Sequence, residues 1–458
     1  MKLVIFGIGN FYKKKIKELY DICPSAEIVA FIDNKAYGMK MDEIDILNPL
    51  CIKELTFDYI LLMSISENAM EKQLVEMGIC LNKILTWQKF LKLNGYGKAQ
   101  IVGKKDLKKT KQVGIITCPM GYNGGSIAAM SLALALKKIG YGVSIITEEI
   151  DNKLVEEISL SIEVIIYPNI SILGSEEIEF LKDYNYIWIN TAQMANYAYK
   201  IGAIKPTIWW IHEGEKDFIE KGYRQIDWRV NKDKLKVKVF AVSNIAKEEY
   251  NKVYNKQSVS ILPVGIPNTM KEGNFSKNKK IVFAVIGSIV KIKAQDVFLN
   301  AADLINNNGY DVEYWLIGKK FTDNEYNCVV EKLINNVRGV RLLGELSRSE
   351  LNLMYKDIDV LVCPSFVESL SLTTIEAMMN NIPVIVSDAT GISEYIKSGK
   401  EGFVFKNGDT KDLAEKMQWL IDNPSERGEM GTRARKLYEN QFSLDVFANN
   451  VAHIMEGM

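Results

Sequence analysis

Two glutamates eight residues apart, Glu368 and Glu376, have the spacing in this chain that points most directly to chemistry. The apolar run 360–364 before them predicts a buried strand, followed by a loop that holds Glu368 and a helix that holds Glu376. A helix N-terminus at the carboxyl end of a strand offers free N–H groups and a positive dipole end to a diphosphate. With one acid placed to accept sugar hydroxyls and the other ribose hydroxyls, the stretch predicts a sugar-nucleotide site.

The segments around these glutamates carry a family resemblance. Residues 342–346, the Asp357-Ile358-Asp359 triplet and residues 383–394 flank the glutamates in a fixed order. Together with the two glutamates, these segments resemble the E-x7-E motif region of retaining glycosyltransferases of family four. The resemblance runs from about Gln112 to the end of the chain. It implies an α/β protein of GT-B architecture, with two facing Rossmann-like domains.

A glycine turn after the strand at 281–286 is the predicted contact for the donor diphosphate. Gly287, Ser288 and Lys293 occupy the place where the family has G-R-x-x-x-x-K-G, whose two cations bind the diphosphate. Ser288 stands where the arginine is usual, so one expected charge is absent. The resemblance leaves this role to Lys293 and to backbone amides, with Lys291 open as a further contributor. In isolation Lys293 would be interpreted as a solvated loop lysine.

The remaining donor contacts are implied by the resemblance. Glu368 would position the transferred sugar and Glu376 would hold the ribose, while the base would meet the backbone around Gly344 and Leu346. The amides that join Lys293 at the diphosphate are those around the start of the helix after Glu368: Ser369, Leu370, Ser371 and Leu372.

Two further positions match the family in the middle domain, and there the resemblance implies that Gly124 and Gly125 contact the donor or the acceptor. Gly124 and Gly125 open an alanine-rich helix, and such a pair lets backbone approach a ligand, although an ordinary strand-to-helix turn has the same appearance. His212 ends the strand 208–211 and precedes Glu213. A lone histidine is often structural, but the resemblance implies that it contacts the hydroxymethyl region of the transferred sugar.

Alternating apolar runs and amphipathic stretches predict parallel sheets throughout the chain. We expect a Rossmann-like accessory domain at 1–97, a lysine-rich linker at 98–112, and the two GT-B domains at 113–272 (acceptor side) and 273–432 (donor side), with a second linker near the boundary at 271–280. The resemblance implies that the final helix, 433–458, packs back on the middle domain.

The amino-terminal module adds a third Rossmann-like pattern. Gly7-Ile8-Gly9-Asn10 follows a strand and Asp33 ends the next one about twenty residues later, which is part of a dinucleotide fingerprint. Tyr12 occupies the place of the third small residue. Three roles stay open for this module. The first is a structural or partner-binding role, which includes oligomerisation; the second is a site for a nucleotide-type ligand, and the third is an NAD site.

The composition limits which partners and which cellular compartment we expect. The chain has 458 residues, 57 basic and 57 acidic, so its balanced charge favours no nucleic-acid partner. Six cysteines without C-x-x-C spacing predict a reduced, cytoplasmic protein, and the two histidines offer little for a metal site. No apolar run reaches a membrane-spanning length. The linker lysines leave a choice between a solvated spacer and peripheral contact with acidic lipid at the inner face of the membrane.

The sequence thus predicts a cytoplasmic, metal-independent glycosyltransferase of hexosyl or N-acetylhexosaminyl type that needs no cofactor. Its donor would be a nucleotide-sugar, with a UDP-sugar favoured, and its acceptor a glycan, lipid-linked or protein-linked precursor of surface polysaccharide or glycoconjugate. Two alternatives stay open. A UDP-sugar 2-epimerase shares the two-domain fold, and a non-catalytic subunit of a transferase complex is compatible with Ser288 and with the added module.

Overall fold

The computed structural model describes residues 1–104, 109–231, 233, 236–254, 258–270, 280–320 and 325–458. The chain is an α/β protein with three mostly parallel sheets, as the sequence predicts. The second expected linker lies, apart from Lys280, outside the described residues, as does part of the first. The predicted domain boundaries therefore remain predictions.

The first sheet has six strands in the order β3-β4-β2-β1-β5-β6, parallel except for the β3–β4 pair. Its strands and helices are β1 (Lys2–Phe6), α1 (Asn10–Ile22), β2 (Glu27–Ile32), β3 (Lys40–Met41), β4 (Ile44–Leu47), β5 (Tyr59–Leu62), α2 (Glu67–Glu76), β6 (Ile84–Leu85) and α3 (Trp87–Leu93). Leu3 and Ile5 enter one apolar cluster and Val4 and Phe6 the other, so both faces of β1 are covered.

The second sheet has eight strands in the order β14-β13-β12-β11-β8-β9-β10-β7. Its elements are β7 (Gln100–Val102), β8 (Gln112–Thr117), α4 (Gly124–Lys138), β9 (Gly142–Thr147), α5 (Asn152–Ser159), β10 (Glu163–Ile166), α6 (Ser175–Leu181), β11 (Tyr186–Asn190), α7 (Ala195–Gly202), β12 (Thr207–Ile211), α8 (Lys216–Arg224), β13 (Lys238–Ala241), α9 (Asn244–Tyr254) and β14 (Val259–Ile261). Part of the segment expected to be a linker is strand β7, because its backbone pairs antiparallel with β10.

The third sheet is parallel in every described pair and has the order β17-β16-β15-β18-β19-β20. Its elements are β15 (Ile281–Ile286), α10 (Gln295–Asn307), β16 (Val312–Ile317), α11 (Glu325–Asn336), β17 (Val340–Gly344), α12 (Arg348–Met354), β18 (Val360–Cys363), α13 (Leu372–Met379), β19 (Val384–Ser387), β20 (Gly402–Phe405), α14 (Thr410–Asp422), α15 (Pro424–Leu437) and α16 (Leu444–Glu456). The strand order reverses between β15 and β18.

The chain packs into two compact units. The first comprises residues 1–123, 141–209 and 220–238, and the second comprises 124–140, 210–219 and 239–458. Within the second unit, α16 packs on α4, Phe447 stacks on Trp210 with ring centroids 5.5 Å apart, and Lys138 pairs with Asp445 at 2.8 Å. The end of the chain is thus fixed by aromatic and ionic contacts.

The first unit contains a charged network centred on Glu71, which is 4% exposed. Its carboxylate lies 3.5 Å from the Lys89 ammonium and 3.2 Å from the Arg229 guanidinium, and it accepts a hydrogen bond of 3.3 Å from the Trp228 indole. Arg229 also binds both oxygens of Asp227 at 2.8 Å. We call these five residues the Glu71 network. It connects the amino-terminal sheet to the segment that follows α8.

Two other features of the described residues bear on the predictions. All six cysteines are free, but only Cys23 and Cys363 are buried, and Cys80 and Cys328 are exposed. Among the described residues, the helices are all too short or too polar to cross a membrane.

Candidate functional site

The site predicted from the two glutamates lies where the order of the third sheet reverses. Strands β15 and β18 are neighbours at its centre, and the loops that leave their carboxyl ends carry Gly287, Lys293 and Glu368. In open parallel sheets, ligands bind in the crevice at this reversal point. Topology alone therefore brings together residues that are far apart in sequence.

Lys293 and Glu368 form an ion pair within this crevice. A short 3-10 turn, Lys291–Lys293, presents the lysine, and its stem lies over Gly287, where an added Cβ would be 3.7 Å from the Lys293 Cδ. Burial by itself lowers the pKa of Lys293, but the charge of Glu368 and of its neighbours outweighs burial and raises it. The lysine is thus a firmly protonated cation.

The backbone on both sides of Glu368 is fixed by a second segment. The Glu368 N–H donates to Ala389 O at 3.3 Å, and the Gly391 N–H donates to Glu368 O at 2.9 Å. A Cβ added to Gly391 would stand 1.9 Å from the Ser369 carbonyl oxygen, so this position requires glycine. The loop that carries the acid is therefore held rigidly.

Helix α13 begins directly after this loop. Its preceding residue, Ser371, has φ +59°, an unusual conformation for a residue other than glycine. The Ser371 hydroxyl is 2.7 Å from the Thr374 hydroxyl, and it accepts a hydrogen bond of 3.4 Å from the Cys363 thiol. Leu370 is buried and Leu372 partly so. The first-turn amides of α13 have no partner within the helix, which suits an anion.

Gly124, Gly125 and Ser288 are further residues for which the sequence predicts a ligand contact. A Cβ on Gly124, at the start of α4, would be 3.7 Å from the Leu372 Cδ1, while Gly125 beside it is partly buried. The carbonyl of Ser288 accepts a hydrogen bond from the Gln295 amide at 2.9 Å. Ser288 therefore helps to hold the turn through its backbone.

Glu376 differs from Glu368 in being completely buried. Its Oε2 accepts a hydrogen bond of 2.7 Å from the Tyr355 hydroxyl, and its Oε1 is in ion-pair contact with Arg348. The predicted ribose ligand is thus present at the expected position on α13, but two side chains already surround it.

The expected base-binding segment follows β17. Gly344 has φ +73°, and its carbonyl accepts the Gly318 N–H at 2.8 Å. Leu346 is partly buried in the loop before α12, whose start is fixed by a capping box between Ser347 and Glu350. This segment leads directly to Arg348.

His212 lies just beyond the end of β12, in edge contact with Trp210 at a centroid distance of 4.4 Å. Burial lowers its pKa to about 3, so the imidazole is neutral near pH 7. Its Nε2 is buried and lacks a hydrogen-bond partner among the residues described. An unpaired buried nitrogen is costly, which fits a position that a ligand group completes.

Sequence reasoning missed four residues at the site. Two of them, Arg348 and Tyr355, surround Glu376; the others, Gly214 and Glu215, follow His212. A Cβ on Gly214 would be 3.1 Å from the Ser369 nitrogen, and burial together with the charge of Glu368 raises the pKa of Glu215. The only available signal was the run His212-Glu213-Gly214-Glu215, since the partners of Glu376 are unrelated to it by local pattern.

The Asp357-Ile358-Asp359 triplet has a structural role through its second aspartate. Asp359 accepts a hydrogen bond of 2.9 Å from the Val282 N–H, and so it connects β15 to the start of β18. In the part of the chain that the structure describes, no group of three or more His, Cys, Asp or Glu side chains is placed to hold a metal ion.

Two families and several solved structures are similar to parts of this chain. Residues 267–437 match the family described as "Glycosyl transferases group 1", and residues 1–85 match the family described as "C2185-like, N-terminal". The structure of HepE from Anabaena in complex with UDP and glucose aligns with a TM-score of 0.64 at 15% identity, covering 76% of this chain and all of that one. WaaG, a glycosyltransferase involved in lipopolysaccharide biosynthesis, aligns over the same share of this chain with a TM-score of 0.54 at 15% identity.

Curated relatives match over shorter stretches. The capsular polysaccharide biosynthesis glycosyltransferase CapM of Staphylococcus aureus is 29% identical over 219 residues, which is 47% of this chain and 57% of that protein. The poly(ribitol-phosphate) alpha-N-acetylglucosaminyltransferase of the same species is 28% identical over 184 residues, 39% of this chain and 36% of that protein. The chain therefore spans only about half the length of such relatives or less. Together these findings show that the chain has the GT-B fold and that its residues 267–437 are similar to the group 1 glycosyltransferases.

Proposed function

We propose that this protein is a retaining glycosyltransferase that moves a sugar from a nucleotide-sugar to a glycan, glycolipid or glycoprotein acceptor in surface polysaccharide or glycoconjugate synthesis. The observation that carries the proposal is the Lys293–Glu368 ion pair at the reversal point of the third sheet. Relatives named for capsular polysaccharide synthesis and for N-acetylglucosaminyl transfer support the acceptor class.

The ion pair suggests how the donor binds. In this structure, Lys293 is paired with Glu368. A donor diphosphate would take Lys293 as its counterion and release Glu368 to accept hydroxyl hydrogens of the transferred sugar. Because a nucleoside diphosphate leaves as a stabilised anion, matching its charge with Lys293 and the first-turn amides of α13 is the main catalytic task.

Two neighbouring groups complete this picture. His212, neutral and with an unpaired buried Nε2, is placed to bind a hydroxyl of the transferred sugar rather than to act as a nucleophile. Glu376 would bind the ribose. The chemistry assigned to these groups requires no metal ion, and retention of the anomeric configuration would follow from attack on the face that the diphosphate leaves.

The donor base and the setting of the enzyme are part of the proposal. The HepE complexes with UDP and UDP-glucose favour a UDP-sugar. Such donors and reduced cysteines suit a cytoplasmic enzyme that contacts its acceptor at the inner face of the membrane. The module at 1–97 would serve as a structural, partner-binding or oligomerisation element, with a nucleotide-type ligand as the second choice.

One observation favours a second candidate, a non-catalytic donor-binding subunit. Ser288 replaces the usual arginine, and Glu215 adds a carboxyl group beside Lys293 and Glu368, so cations are few for a dianionic ligand. Such a subunit would bind the donor without consuming it.

A panel of UDP-, GDP- and ADP-sugars separates these functions. We expect the purified protein to release the nucleoside diphosphate from one donor class slowly without acceptor and faster with a glycan or lipid-linked acceptor, and to give an acceptor product with the anomeric configuration of the donor. A 2-epimer formed without acceptor would instead identify an epimerase. Binding without release under either condition would identify the subunit.

A further inference from the structure

A fully buried carboxylate cannot reach a ligand, and Glu376 has no exposed surface in this structure. The group that lies over its Oε1 is the guanidinium of Arg348, whose side chain is 31% exposed. Tyr355, the other partner, is itself buried and holds Oε2 from within. Only Arg348 therefore stands at the solvent side of this acid among the described partners.

The position of Arg348 favours movement of its side chain without movement of its backbone. It is the first residue of α12, and the capping box of Ser347 and Glu350 fixes the helix start. The guanidinium is in ionic contact with Oε1, and this contact closes the solvent side of the carboxylate. A ribose hydroxyl can therefore reach Oε1 only when the guanidinium moves away.

We propose that Arg348 covers the ribose-binding oxygen of Glu376 in the donor-free protein and is displaced by the ribose hydroxyls of the nucleotide, so that it sets how strongly the site selects for ribose. The inference rests on the proposed function, because it takes Glu376 as the ribose ligand. Arg348 follows the segment of Gly344 and Leu346, to which the base is assigned, so a nucleoside bound there would meet its side chain.

The proposal makes a quantitative statement about selectivity. If only the uncovered fraction of molecules can bind ribose hydroxyls, the cover weakens UDP relative to an analogue that lacks those hydroxyls. Removal of the guanidinium should then raise the ratio of the Kd of 2′,3′-dideoxy-UDP to the Kd of UDP by about three- to tenfold. Any effect of the substitution that changes both dissociation constants by the same factor cancels in this ratio.

The experiment measures both dissociation constants by calorimetry for the full chain and for Arg348→Gln, with Arg348→Lys as a second variant in case the first does not fold. The matched control is Arg341→Gln, an arginine on β17 that lies 3.5 Å from Glu313. We expect the ratio to rise in Arg348→Gln, to rise less in Arg348→Lys and to stay unchanged in the control. In a Glu376→Gln background the effect of Arg348→Gln should disappear.

An unchanged or lower ratio in Arg348→Gln would overturn the proposal, since a purely structural arginine leaves it unchanged and an arginine that orients Glu376 for ribose lowers it. Lys293→Ala separates this failure from that of the proposed function. If both ligands bind and Lys293→Ala weakens both equally while Arg348→Gln leaves their ratio unchanged, only the present inference fails. If neither ligand binds the unaltered protein, the proposed function fails, and this inference fails with it.

Discussion

The Glu71 network and the candidate site differ in how completely the surrounding protein supplies hydrogen-bond and ionic partners for their polar groups. In the Glu71 network, the buried acid has two cations and an indole N–H within reach, and Asp227 is bound through both oxygens. In the second unit, by contrast, the buried Nε2 of His212 lacks a hydrogen-bond partner among the described residues. The first arrangement is complete in itself, whereas the proposed ligand would complete the second.

This difference separates a role in stability from a role in binding. Hydrogen bonds from Arg229 and Lys200 overcome the effect of burial and hold the pKa of Asp227 well below its usual value. At the site, in contrast, one lysine serves two carboxyl groups, because both Glu368 and Glu215 interact with Lys293. We therefore expect substitutions in the first region to change unfolding and those in the second to change turnover.

The largest effect is predicted for the ion pair of the site. Lys293→Ala or Glu368→Ala should lower donor turnover by about two to three orders of magnitude, because a preorganised charge at the leaving group is typically worth roughly 3 to 4 kcal/mol. The measurement is the initial rate of nucleoside diphosphate release. Lys280→Ala and Asp311→Ala, which break an exposed pair of the same unit, are the controls and should leave the rate unchanged. Equal rates in all four variants would contradict the assigned roles.

The next effect tests the rigidity of the loop that carries Glu368. Gly391→Ala should lower turnover by about ten- to a hundredfold, because its Cβ would press on the Ser369 carbonyl at 1.9 Å and displace the neighbouring acid. Gly428→Ala is the control, since a Cβ on that glycine of α15 meets no atom within 4 Å. Turnover of Gly391→Ala at the level of Gly428→Ala would show that the loop tolerates displacement.

Breaking the Glu71 network should affect stability alone. Glu71→Ala should lower the free energy of unfolding by about 1 to 3 kcal/mol, less than for a wholly buried pair because Lys89 and Arg229 keep solvent contact. Urea unfolding of the variant measures this change, and Glu179→Ala, which removes an exposed partner of Lys182, should cost less than about 1 kcal/mol. A loss of turnover without a loss of stability in Glu71→Ala would reverse the comparison.

The last prediction concerns pH. Since the pKa of His212 falls from 6.5 to about 3 on folding, the unfolded chain binds a proton there between these values and the folded chain does not. Stability should therefore fall as pH drops below about 6.5, with His212 contributing up to about 1.4 kcal/mol per pH unit. Unfolding at about pH 5 and about pH 7 should show a weaker dependence in His212→Gln. The exposed His453 provides the control His453→Gln, and an equal change in both variants would contradict the assignment.

Much of the fold was predictable because its strands are short apolar runs between turn residues. The strands before Gly287 and Glu368 were predicted in this way, and the reversal point then placed their loops together. Strand β7 was not predicted, because a three-residue edge strand beside a lysine-rich segment looks like a linker and its pairing with β10 is visible only in the sheet.

The surroundings of the predicted site residues were less accessible to sequence reasoning. Glu376 was located from its spacing, but its complete burial under Arg348 depends on how α12 packs against α13. Arg348 stands between two serines, Ser347 and Ser349, a context that predicts a solvated charge. Glu215 likewise gains its role only because Gly214 lies against Ser369. Tertiary contacts of charged residues leave no periodic pattern in sequence.

The central claim, that the reversal point of the third sheet binds a nucleotide-sugar, is tested most directly by a crystal structure of the protein with UDP. The proposal predicts that the diphosphate contacts Lys293 and the first-turn amides of α13, that the ribose hydroxyls bind Glu376, and that Glu368 is no longer paired with Lys293. A diphosphate bound elsewhere, with the Lys293–Glu368 and Arg348–Glu376 pairs unchanged, would contradict it.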